Sequence, residues 1–350
     1  MDTLSHGLAG SFLTRTLTDA RRARTALVLG FVTAMLPDLD YIGVGGIMGY
    51  LRWHRGWTHS FVLLPLVSFG LALLANRLWR DERVTRLWLF CAAGQASHIL
   101  FDWITSFGTM FFTPITRHRY SLDWVFILDP YFSGISALAL IAVAVWRERA
   151  RRIAGLGAAL LFGYIGFCAA LHQRALAVWK ALDHPPAGAQ VAAVPQFLSP
   201  FRWLGLSEHA TEVHVAFFDI GPFAKVVEHP RQPQGILDAP RVQPEFYPPP
   251  ERALIRRFPK APESAARAAA RALSDVRTYR EFARFPLETV APGSGGLPEY
   301  WIQDLRFLPF FAGPFVPGET SRPGPQPFVY RVRLNAAGDP IERAFVSGSR

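Results

Sequence analysis

Residues 153–171 form an uncharged apolar run close to the ~20 residues that a helix needs to cross a bilayer. In lipid, backbone polar groups must be satisfied within the segment, so helix is the conformation open to it. Three further apolar runs precede it, at 60–76, 87–101 and 131–146; the first two are shorter and read as tilted spans or buried helices. Weaker segments at 4–17 and 25–36 suit a helical hairpin turning at 21–24. The expectation is a polytopic α-helical membrane domain of four to six membrane helices or hairpins.

The second half is different. Residues 1–173 hold 26 of the 64 charges and 4 of the 28 prolines, leaving 38 charges and 24 prolines for 174–350. A boundary near Arg174 follows, separating a membrane domain (1–174) from a smaller, proline-rich α+β extramembrane domain (175–350). Alternation predicts strands at 212–218, 328–334 and 341–346, and composition predicts one helix over 264–283. The stretches 230–250 and 309–327 read as loops.

A net charge of +10 invites a nucleic-acid reading, but the placement of the arginines does not. Arg21, Arg22 and Arg24, then Arg77, Arg80, Arg83 and Arg86, then Arg147, Arg149, Arg151 and Arg152 punctuate the apolar runs. Basic turns of this kind mark the cytoplasmic side of an inner-membrane protein. With those turns inside, residues 45–58, 108–130 and everything after 174 fall on the outer, periplasmic side. No nucleic-acid partner is expected. No removable signal peptide is read at the N-terminus, and Cys91 and Cys168, inside apolar runs, read as core thiols.

Ionisable groups at membrane depth are costly and tend to mark a site. Those of the apolar half are His6; Asp38 and Asp40 in Pro37-Asp38-Leu39-Asp40; His54 and His59 in His54-Arg55-Gly56-Trp57-Thr58-His59; and His98 and Asp102. Being four apart, His98 and Asp102 share one helix face. The topology drawn from the arginines alone puts all of these groups at the outer face. A mixed nitrogen and oxygen set suits zinc, manganese or iron better than calcium or magnesium.

These motifs, in this order, resemble the series found in the YdjM-type membrane-bound metal-dependent hydrolases. The resemblance covers residues 1 to about 175, with Ser5 standing where threonine is more usual. A more distant likeness runs to zinc-dependent phospholipase C and the S1/P1 nucleases, in the Asp40–His54 spacing and the His98/Asp102 pair. The resemblance implies one or two divalent ions, zinc foremost, held by His6, Asp40, His54, His59, His98 and Asp102. It further implies metal-activated water attacking a phosphoester, lipid-borne ones included, with Asp38 as orienter or general base. Arg55 would neutralise anionic oxygen. The competing expectation is a non-enzymatic membrane protein, a transporter or assembly factor, with a structural metal.

Other polar residues read more plainly. Arg117-His118-Arg119 suits a solvated or headgroup-facing loop, and Asp123 and Asp129 suit a turn and a cap. His172, His184, His209, His214 and His229 read as surface or structural. Ser60 lacks a nucleophile elbow, and no phosphate-cradling glycine loop is present.

Overall fold

A computed structural model describes residues 1–232, 234, 238–309 and 327–346. The chain divides into two compact units, Met1–Gly45 with Trp53–Leu171, and Gly46–Arg52 with His172–Arg350.

The first unit is helical. Helix α1 (Thr3–Arg15) is capped by Asp2, whose carboxylate accepts from Ser5 N at 3.0 Å. Helix α2 (Ala23–Met35) gives way at Leu36–Gly43 to a tighter 3-10 turn that holds Asp38 and Asp40. Pro37 sits at the start of that turn, where its missing N–H costs least. Beyond α3 (Gly46–Trp53), which belongs to the second unit as far as Arg52, come α4 (Leu64–Ala75), α5 (Val84–Trp103) and α6 (Pro130–Val145). Asp129 caps α6 by accepting from Phe132 N at 2.8 Å, as expected of it. Helix α7 (Ala150–Asp183) runs 34 residues, or about 50 Å.

Among the described residues, two helical stretches are long and apolar enough to cross a membrane, Ala20–Gly43 and Arg147–Asp183. A third is added if Gly46–His59 and Leu64–Ala75 act as one broken span. Length and composition thus support two or three of the four to six membrane helices or hairpins expected. Helices α4 and α6, at 12 and 16 residues, are short for a ~30 Å hydrocarbon layer. Leu138, Leu156 and Leu160, each about two-thirds exposed on α6 and α7, present an apolar surface suited to lipid.

Helices α1, α2 and α5 meet through glycine. A Cβ on Gly30 would lie 2.5 Å from the Gly10 carbonyl oxygen, and one on Gly94 would lie 2.2 Å from Thr33 Oγ1. Small residues at such crossings let backbones approach closely. One turn from each glycine stands a group of the candidate site: His6 from Gly10, Ala34 from Gly30 and His98 from Gly94. Below, Phe12, Phe101, Phe132 and Leu161 join α1, α5, α6 and α7 in one apolar cluster. Cys91 and Cys168 are buried free thiols, as expected.

Among its described residues, the second unit holds two four-stranded antiparallel meanders. One is β1 (Val191–Gln196), β2 (Ser199–Glu208), β3 (Glu212–Asp219) and β4 (Arg256–Pro259). The other is β5 (Pro286–Pro292), β6 (Pro298–Asp304), β7 (Tyr330–Leu334) and β8 (Pro340–Phe345). The three strands read from alternation are β3, β7 and β8. Leu204, Leu206, Val215 and Phe217 from the first sheet share a core with Leu287 from the second. Of the two expected loops, 230–250 contains a short helix α8 (Ala239–Val242) and 3-10 turns, while 310–326 lies outside the described residues.

The single helix predicted over 264–283 is two: α9 (Ala265–Ala272) and α10 (Ser274–Phe282), broken at Leu273, whose ψ of 139° is extended. The break lets arginines of both helices reach one acid. Arg267 and Arg271 of α9 each place Nε 2.8 Å from Glu288 Oε2, and Arg280 of α10 places Nε 3.1 Å from Oε1. Burial pushes the Glu288 carboxyl up, but the hydrogen bonds from Arg271 and Arg267 outweigh it and hold the acid below its usual range. Its contribution to stability is therefore complete above the unfolded value near 4.3 and is lost as pH falls below it. Glu288→Gln should cost roughly 1.5–3 kcal/mol at neutral pH, as for hydrogen bonds to charged groups, and flatten the loss of stability below about pH 4. Unchanged acid unfolding, followed by circular dichroism, would remove Glu288 from that account.

Candidate metal centre

Four buried side chains, Asp38, His59, His98 and Asp102, each offer a ligand atom, and these atoms all lie within 4.8 Å of one another. That is well inside the ~10 Å beyond which a shared site would fail, since zinc ligands stand about 2.0–2.2 Å from their ion. Asp38 comes from the 3-10 turn after α2, His59 from a 3-10 turn at Trp57–His59, and His98 and Asp102 from one face of α5.

The tautomers follow from the partners. His98 Nδ1 lies 2.6 Å from the Ala34 carbonyl, which can only accept, so Nδ1 carries the proton. Thr58 Oγ1 donates its one proton to Asp40 Oδ2 at 2.8 Å and so accepts from His59 Nδ1, also at 2.8 Å. In the neutral rings both Nε2 atoms are therefore bare lone pairs, yet they face each other at 2.9 Å. Two lone pairs repel at that distance, so a shared proton or a cation belongs between them. Acids flank the gap: Asp102 Oδ2 is 3.2 and 3.4 Å from the two nitrogens, and Asp38 Oδ1 is 3.8 and 3.6 Å from them. Despite that proximity, Asp102 Oδ2 is fully buried and makes no hydrogen bond of acceptable geometry. A divalent ion would satisfy that oxygen and both lone pairs together, so the residues present fit one.

The surrounding groups orient these four. Asp102 Oδ1 receives the Met1 amine, His6 Nε2 at 3.1 Å and Arg55 Nη2 at 2.8 Å. Thr3 Oγ1 donates to Asp38 Oδ2 at 2.7 Å. Arg55 is buried, with a left-handed φ of 61°, and donates from Nη1 to Thr105 Oγ1 at 2.9 Å. Its position is held by Met110 N on its carbonyl and by its own N–H on Asp40 Oδ2. Such a backbone persists only where its surroundings over-determine it.

The predicted residues thus all gather, but in different layers. Asp38, expected as an orienter or base, stands among the inner four. Asp40 and His54, expected as ligands, pair with each other behind His59, Nδ1 to Oδ1 at 2.6 Å. His6 stacks on His98 with ring centres 3.7 Å apart and addresses the outer oxygen of Asp102. Thr58, which passes the Asp40 charge to His59, carries no signal in the sequence beyond its place beside a histidine. Beside Asp40 and Thr58 lies a cleft of about 280 Å³ lined also by Val44, Trp53 and Trp57. Arg119, expected in a solvated loop, instead binds the carbonyls of His54 and Gly108, both at 3.1 Å. That tie fixes the loop against the site.

A second gathering was not foreseen. Asp183, His209 and His214 also bring ligand atoms within 4.8 Å. The two histidines had read as surface or structural. Their signal was the β2–β3 hairpin, whose register places Ser207 opposite His214; Asp183, from the end of α7, was not legible beside them.

No solved structure matches the chain. A curated relative, the uncharacterized protein YfhP of Bacillus subtilis (strain 168), is 26% identical over 154 residues, which is 42% of this chain and 46% of that protein. The chain thus spans about half the length of that relative. Residues 1–175, which contain the whole inner cluster and its supports, match the family described as YdjM inner membrane protein, and the chain belongs to that family.

Proposed function

We propose that the chain is a membrane-bound metal-dependent hydrolase acting on phosphoesters, lipid-borne ones included. One observation carries the reading: the bare Nε2 atoms of His59 and His98, 2.9 Å apart between two buried acids. His59, His98 and Asp102 would hold the ion, zinc foremost, with manganese or iron as substitutes. Such an ion supplies a water acidified toward neutrality. Asp38 would accept a proton at Oδ1, its other oxygen being held by Thr3. Arg55 keeps Asp102 oriented, and its Nε, buried without a hydrogen-bond partner, is the donor left for an anionic oxygen. Trp53 and Trp57 offer walls for substrate, with the Arg117 guanidinium 4.7 Å above Trp53. The basic turns orient the site and the C-terminal unit toward the outer face; a C-terminal reporter active only in the cytoplasm would invert that topology.

Purified protein stripped of metal and then reloaded is expected to lose and regain hydrolysis of phosphomonoester and phosphodiester substrates. Asp38→Asn should keep the ion and lower turnover by about 10²–10⁴-fold, the usual contribution of a proton-transfer group. The burial of all four inner side chains favours one alternative, a closed structural metal in a non-enzymatic protein. Metal-loaded wild type that turns over no phosphoester decides for that alternative.

The outer layer makes a separate prediction. Thr58→Val breaks the link from Asp40 to His59 while keeping shape, and should weaken metal binding about 10–100-fold. Wild-type affinity in a competition titration would exclude Thr58 from that role.

A further inference from the structure

We propose that Asp183, His209 and His214 form a second divalent-metal site, of the zinc class, in the C-terminal unit. The fold assembles it from the last residue of α7, the residue following β2 and the third residue of β3. Side-chain exposure is 1% for Asp183, 7% for His214 and 18% for His209, so the group is enclosed with one side open to solvent.

The hydrogen-bond geometry explains why an ion suits it. His214 Nδ1 lies 2.5 Å from Asp183 Oδ1, while its Nε2 lies 2.7 Å from Glu212 Oε1. With an ion beside Nδ1, the proton sits on Nε2 and is donated to Glu212, the carboxylate–histidine support that metal ligands habitually have. His209 Nε2 lies 2.9 Å from Asp183 Oδ2, and Ser207 Oγ donates to that same oxygen. Asp183 is therefore oriented by a hydroxyl, as a ligating carboxylate requires. The two imidazoles stack with centres 3.7 Å apart. Two protonated rings would repel there, whereas two neutral rings sharing one ion do not. Two cations lie near: Lys260 is engaged by Glu208 Oε1 and the His209 carbonyl, at 2.8 and 2.7 Å, and Arg257 stands opposite His214 in the β3–β4 register, where its charge acts on Glu212. Imidazole and carboxylate donors select zinc, nickel or copper over calcium or magnesium. Three protein ligands would leave one coordination position of a zinc ion to water. The ion would staple the end of α7 to the β2–β3 hairpin.

The site is independent of the hydrolase reading, and the test separates them. Full-length protein in detergent micelles is dialysed against zinc and its metal counted, with histidine Cε1–H resonances recorded during the titration. Wild type should take two equivalents, and the double variant His209→Gln/His214→Gln one, with phosphoester hydrolysis unchanged. If the double variant misfolds, Ser207→Ala should weaken the second equivalent about 10–100-fold instead. A wild type that takes one ion and loses it in the double variant supports this site and removes the N-terminal one. A double variant that binds as much zinc as wild type, or His209 and His214 resonances that shift with pH but not with zinc, overturns the proposal in favour of a proton-bridged cluster.

Discussion

His98→Ala is expected to abolish tight binding of the ion held by the helical unit, with a loss exceeding the 10–100-fold expected for outer-layer changes such as Thr58→Val. The substitution deletes one of the two bare nitrogens and leaves His59 Nε2 facing a void beside Asp38 and Asp102. It also frees the Ala34 carbonyl, which the His98 Nδ1–H satisfies. Equilibrium dialysis of the full chain reads the result as the loss of one equivalent, and hydrolysis should fall with it. Stoichiometric binding at wild-type affinity would mean that the 2.9 Å contact holds a proton, and the metal reading of this cluster would be abandoned.

Gly30→Ala should destabilise the helical unit by about 1–3 kcal/mol or more. The added carbon would stand 2.5 Å from the Gly10 carbonyl oxygen. Because that neighbour is backbone rather than a side-chain tip, α1 and α2 must separate. His6 lies one turn from Gly10, and the Ala34 carbonyl that orients His98 lies one turn from Gly30. Metal affinity should therefore fall together with stability. Gly70→Ala on α4 is the control: nothing lies within 4 Å of its added carbon, and the gain in helix propensity makes it neutral or stabilising. Thermal unfolding in micelles compares the two, and equal effects would show that the glycine crossing does not set the helix spacing.

Much of the site was legible because its chemistry is expensive. Histidine and aspartate within apolar sequence need a reason, and the spacing of His98 and Asp102 put both on one face of α5. The division of roles was not legible. Asp38 and Asp40 alternate along the same turn, and only the packing of that turn sends one inward to His59 and His98 and the other outward to His54 and Thr58. Arg117, His118 and Arg119 read alike in sequence, but Arg119 reaches the carbonyls of His54 and Gly108 while the Arg117 guanidinium lies over the Trp53 ring. The helix break at Leu273 was equally hidden, since alanine- and arginine-rich sequence has the propensity to continue; the attraction of Arg267, Arg271 and Arg280 to Glu288 accompanies the break.

The sequence by itself determined that an apolar, helical half carries a sparse set of ligand-type side chains, followed by a proline-punctuated half with strands. Periodicity and the cost of charge in lipid are local properties, readable one segment at a time. Tertiary structure alone decided which nitrogen and oxygen atoms face one another, because those choices rest on glycine-sized gaps between packed helices. It also decided that Asp183 meets His209 and His214, a contact that no single segment encodes.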